Sequence, residues 1–190
     1  MIDRDILCHG IKRIAWAYVF LSLNINLSFG SSVLNLLPNW VGYLMILNAL
    51  LILREDEPSS RLLSPLGILL CLWELAQWFL ALAGLRFGGY GLDTVAVVIS
   101  LYFHFQLLTD LVNIARRREY PLCQRLLRLR SVRTILATLF SLPLPWETVL
   151  PLTIIMSCTY LVLLIWICRV LFSLHNWLLE TPCPPSPAPN

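Results

Sequence analysis

Long apolar runs separated by short polar segments make up most of this chain, and its basic residues fall almost entirely in alternate segments. The segments between and beside the apolar runs are numbered from the N-terminus. Of the fourteen lysines and arginines, only Arg86 lies in an even-numbered segment, and the other thirteen lie in odd-numbered ones. Cytoplasmic loops of membrane proteins carry the excess of Lys and Arg. The alternation therefore predicts a polytopic membrane protein whose odd segments, including both termini, are cytoplasmic.

Composition excludes several classes of protein. The chain is 58% hydrophobic and 13% charged over 190 residues, whereas a soluble domain carries about 25% charged residues. Apolar runs occupy nearly the whole length and leave no room for a soluble catalytic domain. The net charge of +3 comes from basic residues beside apolar runs, so we expect the lipid bilayer as partner and no nucleic acid.

We predict an all-α fold, a polytopic integral membrane helical bundle with six transmembrane helices, or five with one re-entrant segment. A helix needs about 20 apolar residues to cross the bilayer core. Pro143 and Pro145 shorten the fifth run, which keeps the re-entrant alternative open. Residues 1–12 are a predicted cytoplasmic N-terminus and 13–178 a single transmembrane domain. The predicted spans are 11–30, 40–53, 62–83, 92–115, 132–142 and 149–172.

A basic loop is predicted at 116–131, on the cytoplasmic side. Its leucines alternate with arginines, which is typical either of an amphipathic interfacial helix or of an ordinary Arg-rich connection. We expect anionic lipid to contact Arg116–Arg133. The tail 181–190 contains five prolines and is predicted to be disordered.

Ionisable side chains within predicted spans are candidate functional groups, because a charge in the bilayer core is costly. Helix rise places Glu74 roughly 15 Å and His104 roughly 18 Å from the outer ends of their spans. Both lie near the midplane on neighbouring antiparallel helices, where a carboxylate and an imidazole could share a proton. Gln77, one turn from Glu74, with Asn24 and Asn48, completes the predicted midplane binding site.

A second polar feature lies further along the fourth span. Gln106, Asp110 and Asn113 follow one another at i, i+4 and i+7, so they form a polar stripe on one helix face. His104 does not lie on that stripe. An alternative role for Asp110 is neutralisation of Arg116 or Arg117, and for the other polar residues the alternative is hydrogen bonding between helices.

The sequence offers no motif for an enzyme, a metal site or a cofactor. Six cysteines form no C-x-x-C pair and the three histidines are scattered, whereas ligand sets for metals show close spacing. The sequence also has no P-loop, no H-E-x-x-H and no G-x-S-x-G. We therefore predict no catalytic residues, no metal and no cofactor.

The N-terminal region resembles a group of uncharacterised small bacterial multi-pass membrane proteins. The resemblance rests on Leu23-Asn24-Ile25-Asn26 and on Leu36-Leu37-Pro38-Asn39-Trp40-Val41-Gly42-Tyr43. It implies a location in the bacterial cell (cytoplasmic) membrane but no activity. The six-span size is also similar to that of the substrate-capture subunits of energy-coupling-factor vitamin importers.

Two functional hypotheses follow. In the first, the protein is a small transporter or a solute-binding membrane subunit, with Glu74 and His104 lining a midplane site. In the second, it is a non-transporting membrane sensor, scaffold or assembly partner whose polar groups bond to one another. A homo-oligomer or a membrane partner subunit fits either hypothesis. A cavity lined by Glu74 and His104 would favour the first, and a packed bundle without one would favour the second.

Overall fold

A computed structural model describes residues 4–23, 26–29, 32–35, 37–85, 90–142 and 150–180. The chain is predominantly helical, as predicted, and adds one short hairpin of two antiparallel strands. The helices are α1 (Arg4–Ser22), α2 (Asn39–Leu53), α3 (Ser60–Leu82), α4 (Tyr90–Arg117), α5 (Cys123–Ser141) and α6 (Leu150–Glu180). The strands are β1 (Asn26–Phe29) and β2 (Ser32–Asn35).

Three helices are long and apolar enough to cross a membrane: α3, α4 and α6. Their outer faces carry large apolar side chains, such as Leu62 at 71% exposure and Ile155 at 62%. Soluble monomers rarely expose extended apolar surface, so these faces indicate a membrane protein. Helix α2 is equally apolar but has only 15 residues.

The structure corrects the first predicted span, 11–30. Helix α1 ends at Ser22, and Asn26–Phe29 pairs with Ser32–Asn35 in register Phe29↔Ser32. Asn and Ser compete for backbone hydrogen bonds and favour non-helical structure, and a Gly-Ser pair between two short alternating runs is a hairpin signal. The second half of this predicted span is therefore not a continuation of α1.

The fifth predicted span, 132–142, and the predicted loop 116–131 also change. Helix α4 continues to Arg117 and α5 begins at Cys123, so most of the expected loop is helix. The buried residues Leu126, Leu129 and Arg133 recur at i, i+3 and i+7, which is one helix face. This shared face joins the basic segment and the apolar segment into one helix. The predicted disordered tail, 181–190, lies outside the described residues.

The six helices form a ring in which each contacts the next in sequence and α6 contacts α1. Helix α1 contributes a deeply buried face of Leu7, Ile11, Ile14 and Tyr18. These residues are spaced at i, i+4, i+7 and i+11, so one side of the helix faces the core. Its charged residues, such as Lys12, lie on the exposed side.

Polar contacts at one end of the ring join the turn between α2 and α3 to the end of α4, and join α1 to α6. Arg117 pairs with Glu57, and Arg118 Nη2 lies 3.1 Å from Asp56 Oδ2. His175 Nδ1, near the end of α6, lies 3.1 Å from the carbonyl oxygen of Cys8 in α1. The ends of the first and last helices are therefore neighbours, at the end of the bundle rich in arginine.

Candidate functional site

A cavity of about 530 Å³ lies between α3, α4, α5 and α6. Both residues of the predicted midplane pair, Glu74 and His104, line it. Apolar side chains, such as those of Leu70, Val97 and Phe140, also line the cavity. The remaining polar lining residues are Asp93, Ser100, Arg133, Ser141, Ser157 and Tyr160.

Glu74 is half-buried on α3 and is positioned by the first residue of α2. Asn39 Nδ2 donates a hydrogen bond of 3.1 Å to Glu74 Oε2. Asn39 is the first residue of α2, so this bond joins the start of α2 to α3. The predicted proton sharing between Glu74 and His104 is replaced by separate partners, although both side chains reach the same cavity.

His104 is buried on α4 between two tyrosines. Tyr18 Oη lies 3.2 Å from Nδ1 and Tyr43 Oη lies 3.5 Å from Nε2. Tyr43 Oη also lies 3.3 Å from Ser100 Oγ. A neutral imidazole has one donor and one acceptor nitrogen. A tyrosine hydroxyl can accept a hydrogen bond from the first or donate one to the second. The arrangement holds the ring at a fixed position on the cavity wall.

Arg133 also lines the cavity, although the sequence interpretation placed it in the basic stretch Arg116–Arg133 that was expected to contact anionic lipid. It is 6% exposed, lines the cavity, and its guanidinium carbon lies 5.7 Å from the centroid of the Tyr18 ring. Its position on the face of Leu126, Leu129 and Ala137 could have revealed this placement, because residues at these spacings share one side of a helix.

The other predicted members of the midplane site are not brought to the polar cavity. Gln77 lines a separate, largely apolar cavity of about 360 Å³ between α3 and α4. Asn48 is exposed, because the buried face of α2 is formed by Tyr43, Ile46 and Leu50. Asn24 lies outside the described residues.

The predicted polar stripe on α4 forms a structural cluster away from the cavity. Asp110 is fully buried and accepts hydrogen bonds from Gln106 Nε2 at 2.9 Å, Ser59 Oγ at 2.8 Å and Ser60 Oγ at 2.9 Å. Asn113 is half-buried one turn further on. The alternative role of Asp110, neutralising Arg116 or Arg117, is wrong for Arg117, which instead pairs with Glu57. Asp110 joins α4 to the start of α3, where the helix dipole favours negative charge.

The segment Asn39-Trp40-Val41-Gly42-Tyr43, which carries the resemblance noted above, builds one side of the site. Asn39 bonds Glu74 and Tyr43 contacts His104. A Cβ atom on Gly42 would lie 2.8 Å from Leu21 Cγ, so only glycine allows α1 and α2 to approach this closely. The ring of Trp40 lies edge-on to Trp78, with centroids 6.4 Å apart. Asn39 and Tyr43 of this segment therefore contact the cavity-lining residues, and Gly42 allows the close packing of α1 against α2.

No protein-family model, curated protein or solved structure matches this chain. Function is therefore inferred from the residues of the chain itself.

Proposed function

We propose that this protein is a small membrane transporter or a solute-binding membrane subunit, and that the cavity lined by Glu74 and His104 is its binding site. The supporting observation is that Glu74 of α3 and His104 of α4 line the same cavity. Its volume of about 530 Å³ lies in the range of small-molecule sites, about 300–1,000 Å³.

The composition of the cavity supports a polar solute. Ionisable groups within membrane helices usually face a bundle interior or a water-filled pathway, and Glu74 and His104 both do so. Asn39, Tyr18 and Tyr43 hold these two side chains in place. A binding site needs such support, because a side chain whose position is fixed loses less entropy when a ligand binds.

We place the protein in the cell membrane with both termini cytoplasmic and anionic lipid beside the exposed arginines of α4 and α5. Support comes from the charge asymmetry and from the proximity of Cys8 and His175. The acidic turn at Asp56 and Glu57 neutralises Arg117 and Arg118. The residues left for lipid phosphates are Arg116, Arg125 and Arg128, all of which are exposed.

Substitution of Glu74 tests the proposal. Vesicles containing the full-length protein would be incubated with a defined mixture of amino acids, carboxylic acids, amines and sugars, and retained solutes would be quantified by mass spectrometry. We expect retention of at least one solute by the wild type and a loss of about tenfold or more in Glu74→Gln, since a hydrogen bond to a charged group contributes about 1.5–3 kcal/mol.

Glu55→Gln is the matched control, because Glu55 is exposed at the arginine-rich end. It should retain solutes as the wild type does. Equal retention by Glu74→Gln and wild type, or retention of nothing by the wild type, would contradict the proposal.

The second candidate is a membrane sensor, scaffold or assembly partner. It is favoured by the hydrogen bonds that Glu74 and His104 already make within the chain, because such groups could serve only to join helices. This alternative predicts that Glu74→Gln lowers stability and that no solute is retained. Parallel measurement of the melting temperature and of retention separates the two candidates.

A further inference from the structure

Arg133 is a buried cation whose charge is not balanced by the described residues. Its Nε has no hydrogen-bond partner among them, and it forms no ion pair with any of their carboxylates. The ring of Tyr18 contacts one side of the guanidinium. A buried charge is costly unless it is paired, so this side chain is suited to an anionic group that comes from outside the described residues.

The depth of Arg133 separates it from the arginines that meet lipid. It lies ten residues after the start of α5, roughly 15 Å along the helix, and His104 lies roughly 20 Å from the end of α4. Both side chains contact Tyr18 and line the same cavity. A lipid phosphate at the interface would be too far away, whereas a solute in the cavity would reach the guanidinium.

We propose that Arg133 binds the carboxylate of a small zwitterionic solute, an amino acid with an apolar side chain, in the cavity lined by Glu74 and His104. This inference rests on the proposed function and names the substrate class. The planar guanidinium matches a carboxylate with two parallel hydrogen bonds. A carboxylate would supply the missing partner of Arg133.

Other residues that line the cavity can bind the ammonium group and the apolar side chain of such a solute. Glu74 and Asp93 line the same space and can accept hydrogen bonds from an ammonium group. They would repel a phosphate dianion, since like charges in a site of low dielectric constant interact strongly. Leu70, Val97 and Phe140 offer apolar surface to a side chain.

Matched probes test the assignment. The melting temperature of the detergent-purified full-length protein would be followed by tryptophan fluorescence with L-phenylalanine, 3-phenylpropanoate, phenethylamine or inorganic phosphate, and with the corresponding leucine series. We expect the amino acids to raise the melting temperature, phenethylamine to have no effect, and Arg133→Gln to bind the amino acid about 30-fold more weakly or worse. Arg128→Gln, an exposed arginine of the same helix, should bind like the wild type.

Two further measurements separate loss of solute binding in Arg133→Gln from a defect in its folding. Without solute, this variant should melt about 2–4 °C higher than the wild type, because an unbalanced buried charge is removed. If it does not fold, Arg133→Lys decides, because it keeps the charge but loses the planar fork, so its affinity should fall while folding is retained.

Several outcomes would overturn the assignment. These are full amino-acid binding by either Arg133 variant, an equal response to phenethylamine, and an Arg133-dependent response to phosphate in place of the amino acids. Glu74-dependent binding of a solute without a carboxylate would refute this inference while supporting the proposed function. Binding of no solute at all would refute both.

Discussion

Asp110 and Arg133 are buried charged side chains on neighbouring helices with opposite surroundings. Asp110 accepts three hydrogen bonds from Gln106, Ser59 and Ser60, whereas Arg133 has no acidic partner among the described residues. Buried charges with full hydrogen bonding hold elements together. A buried charge without such bonding lowers stability, and proteins accept this cost mainly where function needs it.

Asp110→Ala should therefore destabilise the protein by about 3 kcal/mol, because it leaves the buried hydroxyl of Ser60 and the side-chain amide of Gln106 without their acceptor. Reversible unfolding of the purified protein in mixed micelles would measure the change. Glu55→Ala removes an exposed carboxylate from the same end and should change stability by no more than about 0.5 kcal/mol. Equal effects of the two substitutions would show that Asp110 does not join α3 to α4.

Sequence reasoning at this scale singled out Glu74 and His104, which both line the cavity, but not Arg133 on the same cavity or Tyr43 beside His104. A lone charged or imidazole side chain inside an apolar run is visible without a structure, because few such residues occur there. Arg133 was missed because it follows other arginines and so resembles part of the interface. Tyr43 was noted only as part of the resemblance segment, because nothing in the sequence places its hydroxyl beside His104 of another helix.

Helix crossings depend on glycines at the points of closest approach. A Cβ atom on Gly67 of α3 would lie 2.9 Å from Leu47 Cδ2 and 3.1 Å from Phe103 Cε2. Small residues at helix interfaces let backbones approach closely in membranes. Gly67 therefore sets how α3 meets α2 and α4 beside the site.

Gly67→Leu should destabilise the protein by about 1–3 kcal/mol, because the larger side chain overpacks this crossing. Gly91→Leu is the matched control, since a Cβ atom at Gly91 meets nothing within 4 Å. Thermal unfolding of both variants in detergent tests this expectation. A Gly67→Leu protein as stable as Gly91→Leu would mean that the α3 crossing is looser than described.

At the scale of the molecule, the described helices form a closed ring in which α1 contacts α6. The hydrogen bond between His175 and Cys8 puts their ends together. An even number of crossings returns a chain to the side where it began, and an odd number does not. Contact between α1 and α6 is therefore compatible with the proposed six-span arrangement, of which only α3, α4 and α6 are individually long and apolar enough to cross a membrane.

Tags fused at Met1 and at Asn190 should be accessible from the same side of the membrane. Protease accessibility in intact cells and in inverted vesicles would measure this, and a tag inserted at 86–89 should show the opposite accessibility. Terminal tags on opposite sides would contradict the six-span arrangement and favour three crossings by α3, α4 and α6.

The sequence by itself determined the membrane class, the positions of most helices and two ionisable residues that line the cavity, Glu74 and His104. Hydropathy and charge asymmetry decide these because each depends on the solvent around one segment. Only the tertiary structure decided that Arg133 reaches the cavity and that Asn39 and Tyr43 contact Glu74 and His104. Those features depend on which helix faces meet across the ring, and burial of one face is settled by neighbours that lie far away in the sequence.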